Sequence, residues 1–213
     1  MADSLSHSTT PLEVGISAMA LAGEAESGDA HVVTYYEGGA AIAVIDGLGH
    51  GPSAAHAARI AAEVFRNKPQ ELPVKQLERC HRALRATRGV AMTIVTLNFD
   101  QETLDWVGVG NVDARLFRVP SETETFAPFP PPSECVLLLG GIVGFRLPAL
   151  RASTLAIHKG DLLVLATDGI SASFGDTVIL GDHPQRTTER IMHSHRKQDD
   201  ALVLAARYLG KPA

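Results

Sequence analysis

Several aspartates in this chain are placed where a folded core would gather them into one cluster. Two apolar runs, AIAVIDG (41–47) and LLVLATDG (162–169), each stop abruptly at an Asp-Gly pair, which puts Asp46 and Asp168 at strand ends. Carboxylates crowded at the end of an apolar core repel one another unless cations neutralise them, and hard oxygen ligands select Mg²⁺ or Mn²⁺. Asp-Gly pairs also mark ordinary turns, so a single copy would carry little weight.

Each run has a further aspartate that an antiparallel neighbour would bring alongside. If residues 36–39 form a tight hairpin turn, the segments HVVTYY and AAIAVI pair antiparallel, and Asp29 lies opposite Asp46. The run that ends at Asp168 can pair in the same way with the strand that begins at Asp199-Asp200. Four carboxylates then converge at strand ends, and the sequence predicts a metal site there.

Composition limits the classes of protein that this chain can belong to. It has 213 residues, 45% of them hydrophobic, and we expect a single domain over 1–213 with 1–12 as a flexible N-terminus. The net charge of −5, without a basic stripe, argues against a nucleic-acid partner. The N-terminus has no secretory pattern, and the longest apolar stretch, 135–145, is far shorter than the ~20 residues that cross a bilayer. We therefore expect a cytoplasmic protein with no membrane partner.

Hydrophobic periodicity predicts the secondary structure. We expect a first strand at 14–22, two amphipathic helices within 52–88 and a third helix at 185–195, with a Pro-rich surface loop at 120–133. From residue 89 onward the alternation predicts a meander of antiparallel strands, at 90–99, 103–110, 114–119, 134–139, 153–158 and 161–167.

Two of the predicted strands indicate how the elements must be layered. The segments AIAVI and LLVLA are apolar at every position, so both of their faces must be covered. Two antiparallel sheets packed on each other, with helices outside, satisfy that requirement. The predicted fold is therefore an α+β, four-layer αββα sandwich with the aspartates at one end.

Several short blocks follow one another along the chain: Gly28-Asp29, VIDGLGHG (44–51), VGVGN (107–111), LLGGIVGF (138–145), LATDGI (165–170) and DDALVLAAR (199–207). Taken together, they resemble the motif series of the metal-dependent PPM serine/threonine phosphatases. The short form with DGLGHG is most similar to the bacterial SpoIIE/RsbX branch, and the resemblance spans about residues 14–207. The ordered co-occurrence of the blocks is far more specific than any one of them.

The resemblance implies a two-ion site. Asp46 would bridge two Mn²⁺ or Mg²⁺ ions, and the Gly47 carbonyl would bind the second. Asp168 and Asp199 would hold the first ion, while Asp29 would support the second directly or through water. Two adjacent cations lower the pKa of a shared water and clamp the oxygens of a phosphoryl group, so such an enzyme needs no covalent nucleophile.

Some assignments remain open, because the chain departs from the eukaryotic branch of the family. Asp200 is the alternative to Asp199, since either residue can head the last strand. The eukaryotic enzymes carry an arginine shortly before the position of Asp29, but the segment AGEAESGD has none. Their third-ion aspartate has no clear match in the block that contains Asn111. His50 is a candidate general acid, although it could instead cap the following helix or bond to a backbone carbonyl.

The function that the resemblance implies is hydrolysis of phosphoserine or phosphothreonine on regulatory proteins. It points to stressosome scaffold and antagonist proteins with STAS domains as substrates, and so to the resetting of a stress-signalling pathway. The alternative is a catalytically silent domain of the same fold that binds phosphorylated partners. The carboxylate set favours the enzyme, because a silent domain has no reason to retain four acids that repel one another.

Overall fold

The computed structural model describes residues 10–120 and 129–211, and two β-sheets lie at its centre. In these residues the helices are α1 (Pro52–Arg66), α2 (Pro73–Ala83) and α3 (Pro184–His195), with a 3₁₀ helix at Ala172–Thr177. The strands are β1 (Leu12–Met19), β2 (Asp29–Tyr36), β3 (Gly39–Gly47), β4 (Val90–Asn98), β5 (Thr103–Val109), β6 (Asp113–Phe117), β7 (Ser133–Cys135), β8 (Leu138–Leu139), β9 (Ser153–Ala156), β10 (Leu162–Ala166) and β11 (Ala201–Tyr208).

The strands are divided between a five-stranded and a six-stranded sheet. Sheet A has the order β1-β11-β10-β6-β7, and sheet B has the order β2-β3-β4-β5-β8, with β9 also paired to β5. All the pairs are antiparallel except β5 with β8. Both the two-residue turn between β2 and β3 and the pairing of β10 with β11 are as the sequence predicts.

Three hydrophobic clusters separate four layers. Along β3, Ile42 and Val44 face sheet A, whereas Ala43 and Ile45 belong to the cluster that packs against α1 and α2. The outer face of sheet A packs in the same way against α3 and the 3₁₀ helix, with Val164 in that cluster. Because successive side chains of a strand point to opposite faces, a strand between two such clusters must be apolar throughout. The predicted αββα sandwich is confirmed.

The prediction of a meander from residue 89 onward was wrong. Among the strands of the predicted meander, only β4 with β5 and β6 with β7 are neighbours in both sequence and sheet, because the chain crosses between the sheets after β5, β7 and β9. The strand predicted at 134–139 is in fact two short strands, β7 in sheet A and β8 in sheet B. Val136 lies between them and is buried in the cluster between the sheets. Alternation of apolar residues identifies a strand but does not say which sheet it joins.

The three α-helices agree with the sequence predictions, and each of them begins at a proline. Pro52, Pro73 and Pro184 occupy the first turn, where the missing N–H is not needed for a helical hydrogen bond. None of the helices in 10–120 and 129–211 is both long and apolar enough to cross a membrane.

The predictions for the N-terminus and the Pro-rich segment can be compared with the structure only in part. Strand β1 begins at the buried Leu12 and ends at Met19, so it starts and stops earlier than the predicted 14–22. Most of the N-terminus predicted to be flexible, 1–9, lies outside the described residues. The same is true of 121–128, the centre of the predicted surface loop.

Helix α3 sits directly on β1, and its position sets the path of the chain into the last strand. A Cβ atom at Gly15 would lie 2.2 Å from the backbone N of Gln185. The Gln185 side chain also accepts a hydrogen bond from the Ile16 N–H (2.9 Å) and donates one to the Ile16 carbonyl (3.1 Å). Since α3 leads into the segment before Asp199, a shift of this helix would move one wall of the site.

Replacing Gly15 with alanine should therefore destabilise the protein. We expect Gly15→Ala to lower the free energy of unfolding by about 2 kcal/mol or more, because the added methyl group collides with the backbone of α3 rather than with a movable side chain. Urea denaturation measures the change. The matched control is Gly181→Ala, where a Cβ would meet nothing within 4 Å. Equal stability of the two variants would contradict this account of the packing.

Candidate metal centre

Two aspartates of sheet B lie side by side at the end of its first hairpin. Asp29 pairs directly with Asp46 in the register of β2 and β3, as the sequence predicts. Asp46 has the same strand parity as Ile42 and Val44, which face sheet A, and its cross-strand partner shares that face. Both carboxylates therefore project into the end of the space between the two sheets.

A threonine of sheet A connects the two sheets at this point. The Thr167 hydroxyl donates a hydrogen bond to Asp29 Oδ2 (2.7 Å) and accepts one from the Leu202 N–H (2.9 Å). It follows directly after β10, and the next residue is Asp168. Asp29 is therefore held by a side chain whose own position is fixed by the ladder between β10 and β11.

Most of the residues predicted for the site line a cleft of about 250 Å³ at this end of the sandwich. Asp29 and Gly47 are outside its lining; Gly47 is buried, and its N–H donates to the Gly28 carbonyl (3.0 Å). The structure thus brings four of the predicted carboxylates and His50 to one cleft, and Asp29 pairs with Asp46 outside its lining. The cleft is lined by Asp46, Leu48, Gly49, His50, Asn111, Asp168, Asp199 and Asp200.

The neighbouring aspartates before β11 have different surroundings. Asp200 is 5% exposed, and its two carboxylate oxygens accept the backbone N–H groups of Leu21 and Gly28, each at 2.8 Å. Asp199 Oδ1 accepts only the Asp200 N–H (2.9 Å), and within the described residues its other oxygen accepts no hydrogen bond. Asp199 therefore keeps more free lone pairs for an ion, while Asp200 holds the backbone of the loop between β1 and β2.

The cluster is electrostatically unfavourable without cations. Burial, followed by the charge of Asp46, raises the pKa of Asp29 to about 8, although the hydrogen bond from Thr167 opposes that shift. Burial, and then the charges of Asp168, Asp199 and Asp200, raise the pKa of Asp46 to about 7. The pKa of Asp168 is also raised, by burial first and then by Asp199. A divalent cation would relieve both causes, since it replaces lost hydration and offsets the repulsion.

The donors present suit Mg²⁺ or Mn²⁺. Every acidic ligand candidate is a carboxylate, and hard oxygen donors favour these ions over zinc or copper. In the described part of the chain no three His, Cys, Asp or Glu side chains are grouped so as to hold one ion. Some of the carboxylates would therefore act on an ion through bound water, which magnesium usually retains in protein sites.

Three supporting side chains were not predicted from the sequence. Asn111 donates its amide N–H to Asp168 Oδ2 (2.7 Å), and Thr167 holds Asp29. Glu24 contacts His50, whose Nδ1 lies 2.6 Å from Glu24 Oε1. The alternatives considered for His50 are not observed, since helix α1 has no side-chain cap and the ring contacts a carboxylate rather than a carbonyl.

Basic side chains of the described residues do not pair directly with the aspartate cluster. Within 10–120 and 129–211, no lysine or arginine forms an ion pair with the aspartates of the cluster. The charge of Lys197 does lower the pKa of Asp168, against the larger effects that raise it. In these residues, therefore, no ion pair replaces the arginine that is missing before Asp29.

The raised pKa values imply that the metal-free protein loses stability as the pH rises. Folded Asp29 and Asp46 bind protons that the unfolded chain releases above about pH 4, so the free energy of unfolding should fall between about pH 4 and pH 8. The fall is at most about 1.4 kcal/mol per pH unit for each group. Urea denaturation in chelator measures it, and Asp29→Asn should flatten the curve whereas the exposed Asp176→Asn should not. Stability that stays constant or rises over this range would refute the electrostatic description.

Comparisons with known proteins agree with this geometry. The chain matches the family model described as stage II sporulation protein E (SpoIIE) over residues 36–209. It is 28% identical over 129 residues to the phosphoserine phosphatase RsbX of Bacillus subtilis (strain 168), across 61% of this chain and 60% of RsbX. The match thus spans less than two thirds of the length of that relative.

Solved structures show the same fold. One, from work on the bacterial stressosome as a modular system adapted to control secondary messenger signalling, is 30% identical, with a TM-score of 0.80 over 93% of this chain and 100% of that chain. The crystal structure of RsbX in complex with magnesium has a TM-score of 0.78 at 20% identity, over 92% of this chain and 94% of that one. Since the family model covers most of the sequence, and the aspartate cluster lies on the fold that these structures share, the chain belongs to the SpoIIE family.

Proposed function

We propose that this protein is a metal-dependent phosphatase that hydrolyses phosphoserine or phosphothreonine on regulatory proteins. The observation that carries the proposal is the convergence of aspartates from both sheets on one cleft, with raised pKa values that a divalent cation would reverse. The similarity to the phosphoserine phosphatase RsbX, and the magnesium complex of RsbX, support the same reaction and the same class of ion.

The proposed ligands divide into two groups with Asp46 between them. Asp46 is affected by the charges of Asp168 and Asp199, while its own charge acts on Asp29. Following the family resemblance, we assign Asp168 and Asp199 to a first ion, Asp29 with the Gly47 carbonyl to a second, and Asp46 to both. The electrostatic coupling of Asp46 to Asp168, Asp199 and Asp29 supports its central place in this set. Asp200 is assigned to the loop backbone, because both of its oxygens are already occupied.

Bound ions would lower the pKa of a shared water and neutralise the charge on the phosphoryl oxygens. The protein's own side chains then have the tasks of orientation and proton transfer. Asn111 and Thr167 fix the carboxylates of Asp168 and Asp29 by hydrogen bonds of 2.7 Å each. His50 lines the same cleft and is the candidate donor of a proton to the departing serine or threonine oxygen.

Hydrolysis should require Mn²⁺ or Mg²⁺ and should depend on Asp46. We expect no phosphate release from phosphoprotein in EDTA, and a loss of about 10³-fold or more in Asp46→Asn, equivalent to about 4 kcal/mol, because that residue contributes to both ions. Phosphate release with and without added metal measures both effects, with Asp176→Asn as the control. Full activity after removal of metal, or more than a tenth of it in Asp46→Asn, would reject the assignment. Binding of phosphoprotein without turnover would favour the silent regulator.

We further propose that the substrates are stressosome proteins with STAS domains, and that dephosphorylation there resets a stress-signalling pathway in the cytoplasm. The support is similarity to RsbX and to a structure from the bacterial stressosome. Since no arginine or lysine forms an ion pair with the cluster in the described residues, affinity must come from contacts around the phosphate more than from the phosphate itself.

A folded phosphoprotein should therefore be a much better substrate than a peptide. We expect kcat/KM on an intact phosphorylated STAS domain to exceed that on a short phosphopeptide of the same sequence by at least ~100-fold, or about 2.7 kcal/mol of remote binding energy. Paired rates at equal Mn²⁺ concentration provide the measurement. Equal efficiencies would mean that the metal site alone recognises the substrate.

A further inference from the structure

A glutamate in the loop between β1 and β2 contacts the imidazole of His50. Glu24 Oε1 lies 2.6 Å from His50 Nδ1. An ionised carboxylate can only accept a hydrogen bond, so Nδ1 carries the proton that is shared with Glu24. This leaves Nε2 as the nitrogen that can exchange a proton with a molecule bound in the cleft that His50 lines.

The loop that carries Glu24 is fixed at both ends by one buried side chain. Asp200 accepts the N–H groups of Leu21 and Gly28, on either side of Glu24, and the Glu24 N–H donates to the Leu21 carbonyl (3.0 Å). The segment just before β11, which supplies the candidate metal ligand Asp199, therefore also positions the loop that supports His50.

The backbone next to His50 leaves room for this carboxylate. Gly51 has a φ of +72°, and a Cβ atom there would lie 2.8 Å from Glu24 Oε2. Any residue other than glycine would be strained at this position and would also crowd Glu24. The contact therefore depends on residues from two separate segments of the chain.

The contact does not have the features of a stabilising ion pair. The side chains of His50 and Glu24 are 59% and 26% exposed, and such pairs contribute about 0–1 kcal/mol to stability. A contribution to stability therefore does not explain why the Glu24 loop and the His50 turn are held in contact. A carboxylate that orients an imidazole is, in contrast, a recurrent device for fixing which ring nitrogen delivers a proton.

We propose that Glu24 is a positioning residue that holds His50 with Nε2 free to protonate the leaving oxygen. The proposal rests on the proposed phosphatase function. A water oxygen bonds to phosphorus as the bond from phosphorus to the serine oxygen breaks. The serine oxygen keeps the electron pair of the broken bond and takes the proton from Nε2. The attacking water releases one proton to solvent, and the imidazole later regains one from solvent. The products are serine and inorganic phosphate.

The test compares two small esters that differ in how much the leaving group needs a proton. Phenyl phosphate releases a basic phenolate, whereas 4-nitrophenyl phosphate releases a stable anion. With saturating Mn²⁺, Glu24→Gln should lower kcat on phenyl phosphate by about 10- to 100-fold and on the nitrophenyl ester by less than about threefold. The matched control is Glu26→Gln, on the same loop, whose exposed carboxylate lies 3.9 Å from Arg59. It should leave both rates unchanged.

Equal losses on the two esters would show that Glu24 only maintains the loop, and unchanged rates would show that it has no role; either result overturns the proposal. Hydrolysis of both esters by the wild-type chain tests the phosphatase separately from Glu24. A second measurement needs no turnover: ¹⁵N NMR of His50 in the Mg²⁺-loaded protein should show the neutral ring protonated on Nδ1. In Glu24→Ala it should show a mixture of the two tautomers. The same tautomer in both proteins would also overturn the proposal.

Discussion

Repulsion between carboxylates at the junction of the two sheets is the constraint on which this structure depends. The hairpin of sheet B delivers Asp29 and Asp46, and the strands of sheet A deliver Asp168 and the aspartates before β11. Each sheet is stabilised by its own ladder and by the apolar cluster between the sheets, so the acids are brought together by packing that occurs elsewhere. The core thus imposes a local electrostatic cost, and this cost creates the affinity for cations.

The hydrogen bonds around the cluster orient its carboxylates but leave their negative charge available for ions. Thr167, Asn111 and the backbone amides that contact Asp200 are neutral donors, so they fix carboxylates without cancelling their charge. An arginine in the same place would compete with an ion for the carboxylate. The scarcity of cationic partners in the described residues is therefore consistent with a site that is reserved for metal.

The sequence was sufficient to predict those parts of the site that follow from strand register. The opposition of Asp29 and Asp46 follows from a two-residue turn and the period of a strand, both of which are local properties. The local sequence does not decide between Asp199 and Asp200. The choice depends on which carboxylate the backbone N–H groups of Leu21 and Gly28 occupy, and only the packed structure shows that they occupy Asp200.

Other features lay beyond what periodicity can reveal. Glu24 lies in a loop without a repeat, and its approach to His50 depends on Asp200, about 170 residues away in the chain. The division of 134–139 between two sheets depends on a crossing at Val136 that preserves the apolar pattern. In both cases the local sequence is compatible with several paths, and long-range contacts select one of them.

The packing of α3 on β1 limits the pairing of other chains with the edge of sheet A. Strand β1 is the outer strand of sheet A, and an outer strand offers unpaired backbone groups to any other extended chain. At Ile16 those groups are already engaged, because the Gln185 amide accepts from the N–H and donates to the carbonyl as a neighbouring peptide group would. A foreign strand aligned with β1 would have to displace this side chain before its ladder could pass Ile16. Gln185 thus blocks the extension of sheet A by another strand at Ile16.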